Sequence, residues 1–294
     1  MFLLYVNDIG NAVPNEKVKL FADDTNLFIS CTDLSLLNDK ANSSIDVLNK
    51  WFIANKLSLN LAKTCYMVFP HKYQDHIKIV VDGLEIQKVS TCKYLGVTLD
   101  NELKWNVHID HIYQKLIKFT SIFYKLRAKL PRSILQNIYF AFVHPHILYG
   151  IELYANTYSC HVDKLNKLNN KILRIIQNKP LSTHVLELYS NFNTLPIKDL
   201  HVQQLLILVH KCMHHLETLP NVFANYFTIN KYVHHFNTRR RDDIHMYCCN
   251  LSLGLRCTGA RAGSLWNSLP NNMKVYMSVR VFKIKLRNYL LSLK

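Results

Sequence analysis

The spacing of apolar residues changes near Trp105, and this change divides the chain into two parts. Before it, short apolar runs alternate with polar residues, as strands do, around one helical segment. After it, an apolar stripe advances in alternating steps of three and four residues, which predicts one long amphipathic helix. The stripe consists of Ile109, Ile112, Leu116, Phe119, Phe123, Leu126 and Leu130. The sequence therefore predicts an α+β fold, mixed over residues 1–100 and helical afterwards.

Strands close together in sequence are expected within residues 1–100, which favours an antiparallel sheet. Two short strands should flank Asp23-Asp24, and Asp82-Gly83 is a strong hairpin signal. Asp33 is a candidate cap for a helix that ends near Asn55. Further strands are predicted at Leu57–Leu61, Cys65–Phe69 and Lys93–Leu99.

Helical spacing recurs in the second part of the chain. It predicts helices over 133–143, 162–177 and 197–217, with Pro145 stopping the first of them. A last helix should run through Val279, Phe282, Leu286 and Leu290. Residues 221–270 carry aromatic, histidine and arginine residues without a clear period, so no element is predicted there.

The chain is strongly basic. Its 294 residues contain 36 Lys and Arg against 20 Asp and Glu, a net charge of +16, which favours a polyanionic partner, nucleic acid first. Along the predicted long helix, one flank carries lysines that we expect to contact a duplex backbone, although a merely solvated face is the alternative. They are Lys115, Lys118, Lys125 and Lys129.

The eight cysteines form no Cys-x-x-Cys pair and do not look like a disulfide framework, which favours a reducing compartment. The apolar run at the N-terminus is too short for a signal peptide, and no apolar stretch of ~18 residues occurs. We therefore expect an intracellular protein, nuclear or cytoplasmic, that is not secreted and has no membrane partner.

Phe21-Ala22-Asp23-Asp24 is the sharpest candidate site. Two adjacent carboxylates at a tight turn supply the oxygen ligands that Mg²⁺ prefers, and a pair of such ions can assist the attack of a 3′-hydroxyl on a phosphate. The dipeptide alone is weak evidence, because Asp242-Asp243 occurs in the same chain without a strand pattern around it. The predicted strand–turn–strand context distinguishes Asp23 and Asp24.

Several segments, in order along the chain, resemble the reverse transcriptases of jockey-type non-LTR retrotransposons. Phe2–Ile9 and Lys19–Leu27 resemble the segment around the metal-binding turn of the polymerase palm, and Trp51–Phe69 the next palm motif. Lys93–Val97 resembles the primer-grip hairpin, and Leu103–Ile109 the start of the thumb. Segments similar to the family's C-terminal region are Pro145–Gly150, His235–Arg239 and Trp266–Pro270.

This resemblance implies a domain order and an activity. Residues 1–100 would be a partial palm with antiparallel strands and the primer-grip hairpin, 101–180 an α-helical thumb, and 181–294 a mostly helical C-terminal region. The implied activity is RNA-directed DNA polymerisation with Mg²⁺ as cofactor. The implied partners are an RNA template and a DNA primer, or an RNA–DNA hybrid.

The resemblance also implies roles for individual residues. Asp23 and Asp24 would be the catalytic metal-binding pair, and Lys63 a general acid toward pyrophosphate, with a surface lysine at a strand end as the alternative. Tyr94, Leu95 and Gly96 would shape the primer grip. Gly96 would let backbone approach the primer closely, with a simple strand bend as the alternative.

In the family, a further metal-ligating aspartate and the nucleotide-binding fingers precede the segment matched by Phe2–Ile9. We therefore expect an incomplete metal site, weak Mg²⁺ binding and no polymerisation by this polypeptide alone, since losing one well-placed group can cost ~10²–10³ in rate. The rival interpretations are a non-catalytic nucleic-acid-binding protein and a relic without a selected function.

Two further groups of residues have alternative interpretations. Arg239-Arg240-Arg241 is a phosphate-binding patch, a nuclear-import signal or plain solvated charge. Cys212-x-x-His215 and His245-x-x-Cys248 offer zinc-ligand types at spacings that match no zinc module, so core thiols and surface histidines are expected there.

Overall fold

The computed structural model describes residues 2–69, 77–233, 236 and 239–293. The chain divides into two compact units, unit 1 ending at Leu103 and unit 2 beginning at Lys104. Within the described ranges, no helix is both long enough and apolar enough for a membrane crossing. A separation of residues 101–180 from 181–294 stays a prediction.

In its described residues, unit 1 combines three helices with eight short strands. The helices are α1 Phe2–Tyr5, α2 Ile9–Ala12 and α3 Leu34–Ala54. The strands are β1 Lys17–Phe21, β2 Asp24–Phe28, β3 Cys65–Tyr66, β4 Val80–Val81, β5 Leu84–Glu85, β6 Gln87–Lys88, β7 Thr91–Tyr94 and β8 Val97–Asp100. The predicted helix after Asp33 is confirmed, because the Asp33 carboxylate accepts a hydrogen bond from the Ser35 amide at 2.9 Å and α3 is followed by Asn55.

The strands of unit 1 form four separate two-stranded pairs, so the single antiparallel sheet that the sequence suggested is wrong among the described residues. β1–β2, β4–β5 and β7–β8 are antiparallel hairpins, whereas β3 and β6 run parallel. The predicted hairpin at Asp82-Gly83 is confirmed, and both turn residues have positive φ, 50° and 78°. Hairpins form through local pairing, so each can close without joining a larger ladder.

Two of the predicted strands are wrong in this structure. Lys93–Leu99 does not run straight, because Leu95 and Gly96 adopt positive φ and fold the segment into the β7–β8 hairpin. Leu57–Leu61 is irregular, because the Leu57 amide bonds back to the Phe52 carbonyl at 2.8 Å and a turn follows. The strand predicted at Cys65–Phe69 is reduced to the two residues of β3.

The core of unit 1 is small and open. Its buried cluster contains Ile9, Val13 and Leu48, against which Trp51 and Phe52 pack. A cavity of about 570 Å³, here called the unit 1 groove, lies between residues 25–31 and 64–69. Leu27, Ile29, Tyr66 and Val68 are among its mostly apolar lining residues. The groove lies next to β2 and β3, which belong to different pairs.

The regular secondary structure described in unit 2 is mainly helical. Its helices are α4 Asn106–Leu126, α5 Arg132–Phe142, α6 His144–Leu148, α7 Ile151–Tyr154, α8 Ser159–Gln177, α9 Val185–Ser190, α10 Ile197–His214, α11 Asn230–Val233, α12 Ser252–Leu255, α13 Thr258–Ser268 and α14 Val279–Ser292. The helices predicted over 133–143, 162–177 and 197–217 correspond to α5, α8 and α10, and the last predicted helix is α14. Helix α13, in the region without a clear period, was not predicted.

A large buried cluster holds unit 2 together. The apolar stripe of α4 enters it as predicted, with Ile109 and Phe123 fully buried. The helix ends at Leu126, short of the predicted Leu130, because residues 127–129 form a turn. From the unpredicted α13, Ala262 and Trp266 join the same cluster one helical turn apart.

One buried polar group links three helices of unit 2. The Asn169 carbonyl on α8 accepts a hydrogen bond from the Tyr139 hydroxyl of α5, and its amide donates to the Tyr189 hydroxyl of α9, each at 3.0 Å. The Tyr189 hydroxyl donates in turn to Asn170 at 2.7 Å. Burial raises the pKa of Tyr139 and of Tyr189, so both phenols stay protonated and can donate.

Candidate metal-binding hairpin and nucleic-acid interface

Asp23 and Asp24 lie at the tip of the β1–β2 hairpin. Phe21 pairs with Asp24, so Ala22 and Asp23 form a two-residue turn and the second carboxylate begins β2. Both acids are exposed. Ala22 has a φ of 53°, a left-handed conformation that a residue with a Cβ adopts at a cost, and such strain clusters at functional sites.

The carboxylates at this tip are the type of ligand that a hard cation prefers, but two of them are too few to complete its coordination shell. Mg²⁺ takes oxygen ligands in near-octahedral geometry, and two carboxylates supply part of such a shell. Among the residues that the structure describes, no group of three or more His, Cys, Asp or Glu side chains is arranged to hold a metal ion. Asp23 and Asp24 could therefore supply only part of the ligand set of such an ion.

Tyr94, Leu95 and Gly96 form the turn of the β7–β8 hairpin. Tyr94 pairs with Val97, and the two residues between them have φ values of 46° and 82°. Two positive φ values in a two-residue loop match the twist of a hairpin, and glycine is the residue that adopts the second of them freely. Gly96 thus has a local conformational reason to be glycine, different from the strand bend considered above.

Two of the hairpins of unit 1, β1–β2 and β7–β8, touch each other. The ring of Phe28 at the end of β2 packs edge-on against that of Tyr94, with centroids 6.1 Å apart. Phe28 lies four residues after Asp24 on its hairpin, and Tyr94 is itself a candidate primer-grip residue. This contact joins the acidic hairpin to the candidate primer-grip hairpin.

Lys63 lies in a turn and not at a strand end. Its amide donates to the Asn60 carbonyl at 3.0 Å, and its side chain is exposed. No ion pair joins Lys63 to Asp23 or Asp24, all three being described residues. The neighbouring Thr64 and the Thr25 that follows Asp24 both line the unit 1 groove, so the two candidate sites flank one cavity.

The lysine flank in unit 2 is exposed as predicted. Lys115, Lys118 and Lys125 lie on α4, whereas Lys129 lies in the turn after it. None of the four forms an ion pair with a described residue, and Lys118 lies 6.0 Å from the Phe119 ring centroid. Four uncompensated cations give this side of unit 2 the charge that a phosphate backbone requires.

Two histidines extend the lysine flank, and the sequence reasoning missed them. Partial burial lowers the pKa of His146 on α6, and Lys115, Lys118 and His111 lower it further. The four groups therefore lie close enough to interact electrostatically. No periodic signal could have found His146, because it lies on a five-residue helix beside Pro145.

Arg239, Arg240 and Arg241 are exposed in a loop closed by the bridge between Ile229 and Ile244. The two acids that follow them in sequence form ion pairs with lysines and not with these arginines. Asp242 pairs with Lys231 at 3.8 Å, and Asp243 with Lys274 at 3.5 Å. The arginines thus keep their charge available, although the rest of the motif that began at His235 lies partly outside the described residues.

The histidines of the zinc alternative have structural partners. His215 places its Nε2 atom 3.0 Å from the Met277 carbonyl, as the neighbouring His214 does with the Lys274 carbonyl, and His245 lies 2.9 Å from the Asn230 side chain. They are half-buried, so the expectation of surface histidines is wrong. Of the cysteines, Cys212 is half-buried and Cys248 is exposed, so only Cys212 fits the expected core thiol.

Comparison with known proteins identifies relatives of the chain. It is 26% identical over 166 residues to the RNA-directed DNA polymerase from mobile element jockey of Drosophila funebris, which covers 55% of this chain and 18% of that protein. The corresponding protein of Drosophila melanogaster is 24% identical over 210 residues, 70% of this chain and 22% of its own length. A probable RNA-directed DNA polymerase from transposon X-element of Drosophila melanogaster is 24% identical over 131 residues, 44% of this chain and 14% of that protein.

The chain thus spans about a fifth of the length of the curated jockey relatives that it matches. No family model matches it, and no solved structure does. The similarity nevertheless recurs across proteins of several elements, in agreement with the motifs seen in the sequence. The chain is similar in sequence to the RNA-directed DNA polymerases of jockey-type non-LTR retrotransposons.

Proposed function

We propose that this chain is part of a retrotransposon reverse transcriptase and that it acts on an RNA–DNA hybrid. The observation that supports this most is the exposed acidic pair at the tip of the β1–β2 hairpin, in contact through Phe28 and Tyr94 with a second tight hairpin. The named activity of the jockey relatives supplies the reaction class. The proposal includes a nuclear or cytoplasmic location, an RNA template and a DNA primer.

In this proposal Asp23 and Asp24 hold Mg²⁺, which when bound lowers the cost of charge developing at the reacting phosphate. The exposure of both carboxylates leaves them open to solvent and to a nucleotide. Lys63 is proposed to donate a proton to the leaving pyrophosphate, and the β7–β8 hairpin to position the primer strand. Residues 1–100 would then be palm and α4 the start of the thumb.

This polypeptide by itself is proposed not to polymerise. Two carboxylates are an incomplete ligand set for Mg²⁺, and within the described ranges no third side chain completes it. The test is primer extension on a poly(rA) template with the purified chain and Mg²⁺ or Mn²⁺. We expect no incorporation. Robust incorporation that Asp23→Ala abolishes would overturn the proposed inactivity.

A second candidate function is non-catalytic nucleic-acid binding. The lysine flank of α4, which forms no ion pair with a described residue, favours it. Each phosphate that a protein neutralises contributes about −0.9 to the slope of log K against log salt. We expect the double variant Lys115→Gln, Lys118→Gln to weaken binding to an RNA–DNA hybrid and to reduce the slope by about two.

Lys167 and Lys171, exposed on α8, provide the matched control. The double variant Lys167→Gln, Lys171→Gln removes the same charge from another helix and should leave the slope nearly unchanged. A slope that is flat for the unmodified chain, or equal losses in both double variants, would remove the duplex-binding proposal. Binding without extension would favour the second candidate function for this chain in isolation.

A further inference from the structure

A second cavity, of about 270 Å³, lies in unit 2, and none of the candidate site residues named above lines it. Side chains from α5, α6, α10 and α14 and the loop before α10 line it, and we call it the α10–α14 pocket. Typical pockets for drug-sized ligands begin at ~300 Å³. The pocket therefore suits a ligand no larger than a single nucleotide.

Thr194 gives this pocket an unsatisfied polar group. It is 3% exposed, and its hydroxyl has no hydrogen-bond partner. A buried hydroxyl without a partner costs free energy, so such a group invites a ligand that can bond to it. The preceding Asn193, also in the lining, has a φ of 57°, which asparagine tolerates better than most residues.

Two glutamines of α10 add amide groups to the same wall. The Gln203 amide nitrogen donates to the Lys283 carbonyl at 3.1 Å, which leaves its side-chain oxygen as an acceptor. Gln204, half-buried beside it, also lines the pocket. Carboxamides present a donor and an acceptor side by side, the pattern that the edge of a nucleobase displays.

The charge of the lining is positive. Lys283 and Arg287 lie one turn apart on α14, and no acid occurs among the lining residues that the structure describes. Arg287 donates to the Asn193 carbonyl at 3.4 Å, which fixes it at the rim. Two cations without a carboxylate partner suit a phosphate group.

Aromatic rings complete the lining. Phe140 and His144 lie edge to face with centroids 5.1 Å apart. Burial, and then Lys283, lower the pKa of His144 to about 4, so its imidazole is neutral near pH 7. Neutral aromatic rings beside hydrogen-bonding amides provide the surfaces that unstacked bases occupy in RNA-binding proteins.

We propose that the α10–α14 pocket binds one nucleotide, with its base among Thr194, the glutamines and the aromatic rings, and its phosphate at Lys283 and Arg287. The nucleotide is either free or a single unpaired residue of a polynucleotide. The proposal goes beyond the polymerase function, because it uses no residue of the acidic hairpin or of the lysine flank.

Titration calorimetry of the full chain tests the proposal, with each of the four ribonucleoside 5′-monophosphates and inorganic phosphate as probes. We expect saturable binding of at least one nucleotide, tighter than that of phosphate. Lys283→Gln should weaken it about tenfold, through loss of one charge-assisted contact. Lys285→Gln, an exposed position on the same helix outside the lining, should change it less than twofold.

Thr194→Val tests the recognition of the base, since it keeps the shape of the side chain and removes the hydroxyl. It should weaken nucleotide binding and leave phosphate binding unchanged, and Thr194→Ser should retain most of the affinity. The absence of saturable binding would overturn the proposal. So would nucleotides binding no more tightly than phosphate, or equal losses in Lys283→Gln and Lys285→Gln.

The two sources of the nucleotide are separated by competition. An oligonucleotide duplex with one bulged residue should displace the monophosphate if the pocket reads a polynucleotide, and should fail to do so if the ligand is free. Equal displacement by a fully paired duplex would contradict the proposal, because a paired base cannot enter. Lys115→Gln should leave nucleotide binding to the pocket unaltered. The result for the pocket is therefore independent of whether the lysine flank binds a duplex.

Discussion

The ring of Phe28 meets the ring of Tyr94 edge-on, with centroids 6.1 Å apart. Phe28 closes the strand that begins with Asp24, and Tyr94 precedes the Leu95-Gly96 turn. One aromatic contact therefore ties the acidic hairpin to the hairpin proposed to grip the primer. Because Phe28 is 48% exposed, the edge-on geometry of the rings should stabilise the contact more than the burial of apolar surface does.

Removing either ring should loosen both hairpins. Aromatic pairs contribute about 0.5–1.5 kcal/mol beyond their buried area. We expect Phe28→Ala and Tyr94→Ala each to speed amide exchange in both hairpins, residues 17–28 and 91–100, with less than additive effects in the double variant. Hydrogen exchange followed by mass spectrometry measures this. Fully additive effects would show that the rings are not coupled.

A different residue at position 95 should stabilise the β7–β8 hairpin. Its φ of 46° is a left-handed conformation, and Leu lacks the short polar side chain that lets Asn adopt it. Leu95→Asn should stabilise the β7–β8 hairpin by about 0.5–1 kcal/mol and slow its amide exchange several-fold. Gly96→Ala, at a φ of 82°, should do the opposite. Faster exchange in Leu95→Asn would mean that packing of the Leu side chain outweighs the turn conformation.

Periodicity and capping chemistry predicted the long elements well. The stripe from Ile109 to Phe123 is buried, and Asp33 and Asn55 bound α3 as expected. The local pattern read Leu95-Gly96 as part of a strand, because Leu is a poor signal for a positive φ, and only the family resemblance placed a hairpin there. The Asp82-Gly83 turn was found from the local pattern, because that dipeptide is typical of such turns. Helix α13 was missed because Gly259 and Gly263 weaken helix propensity, and its burial depends on partners distant in sequence.

Asn169 should be among the most sensitive positions of unit 2. Asn169→Ala would leave the buried Tyr139 hydroxyl without an acceptor, and an unsatisfied buried group costs about 1–3 kcal/mol. With the second bond lost as well, we expect roughly 2–4 kcal/mol, or a fall in Tm of about 5–15 °C. Asn170→Ala, half-buried and bonded once, should cost less. Thermal unfolding followed by circular dichroism ranks the two.

Acid should destabilise unit 2 through His210. It is fully buried against Phe282, with centroids 4.2 Å apart. Burial, then His214 and His215, lower its pKa to about 4, below the ~6.5 of an unfolded histidine. The unfolded chain then binds the extra proton first, so stability is full above about pH 6.5 and falls toward pH 4.

The expected slope from His210 is at most about 1.4 kcal/mol per pH unit. His210→Leu should flatten the dependence of unfolding on pH between about 6.5 and 4, measured by denaturant titration at several pH values. The control is His184→Leu, at an exposed position, which should leave the slope unchanged. If His210→Leu leaves the slope of unfolding free energy against pH unchanged, the acid sensitivity comes from other histidines whose pKa burial lowers. These include His108, His144 and His201.

The candidate site was predictable only in part. Adjacent acids in a strand–turn–strand pattern pointed to the hairpin tip, and charge bias pointed to the lysine flank. The Phe28–Tyr94 contact, the approach of His146 to Lys115 and the hydroxyl of Thr194 in its pocket depend on the packing of segments far apart in sequence. No local pattern encodes such proximity, so these features required the three-dimensional structure.

The unit 1 groove has a practical consequence for handling the protein. It is mostly apolar and borders β2 and β3, two short strands from separate pairs. An extended segment of another molecule can add to such an edge, which is how cross-strand assembly begins. Concentrated solutions should therefore turn turbid through intermolecular strand pairing, and dilute storage or a short edge-capping peptide should delay it.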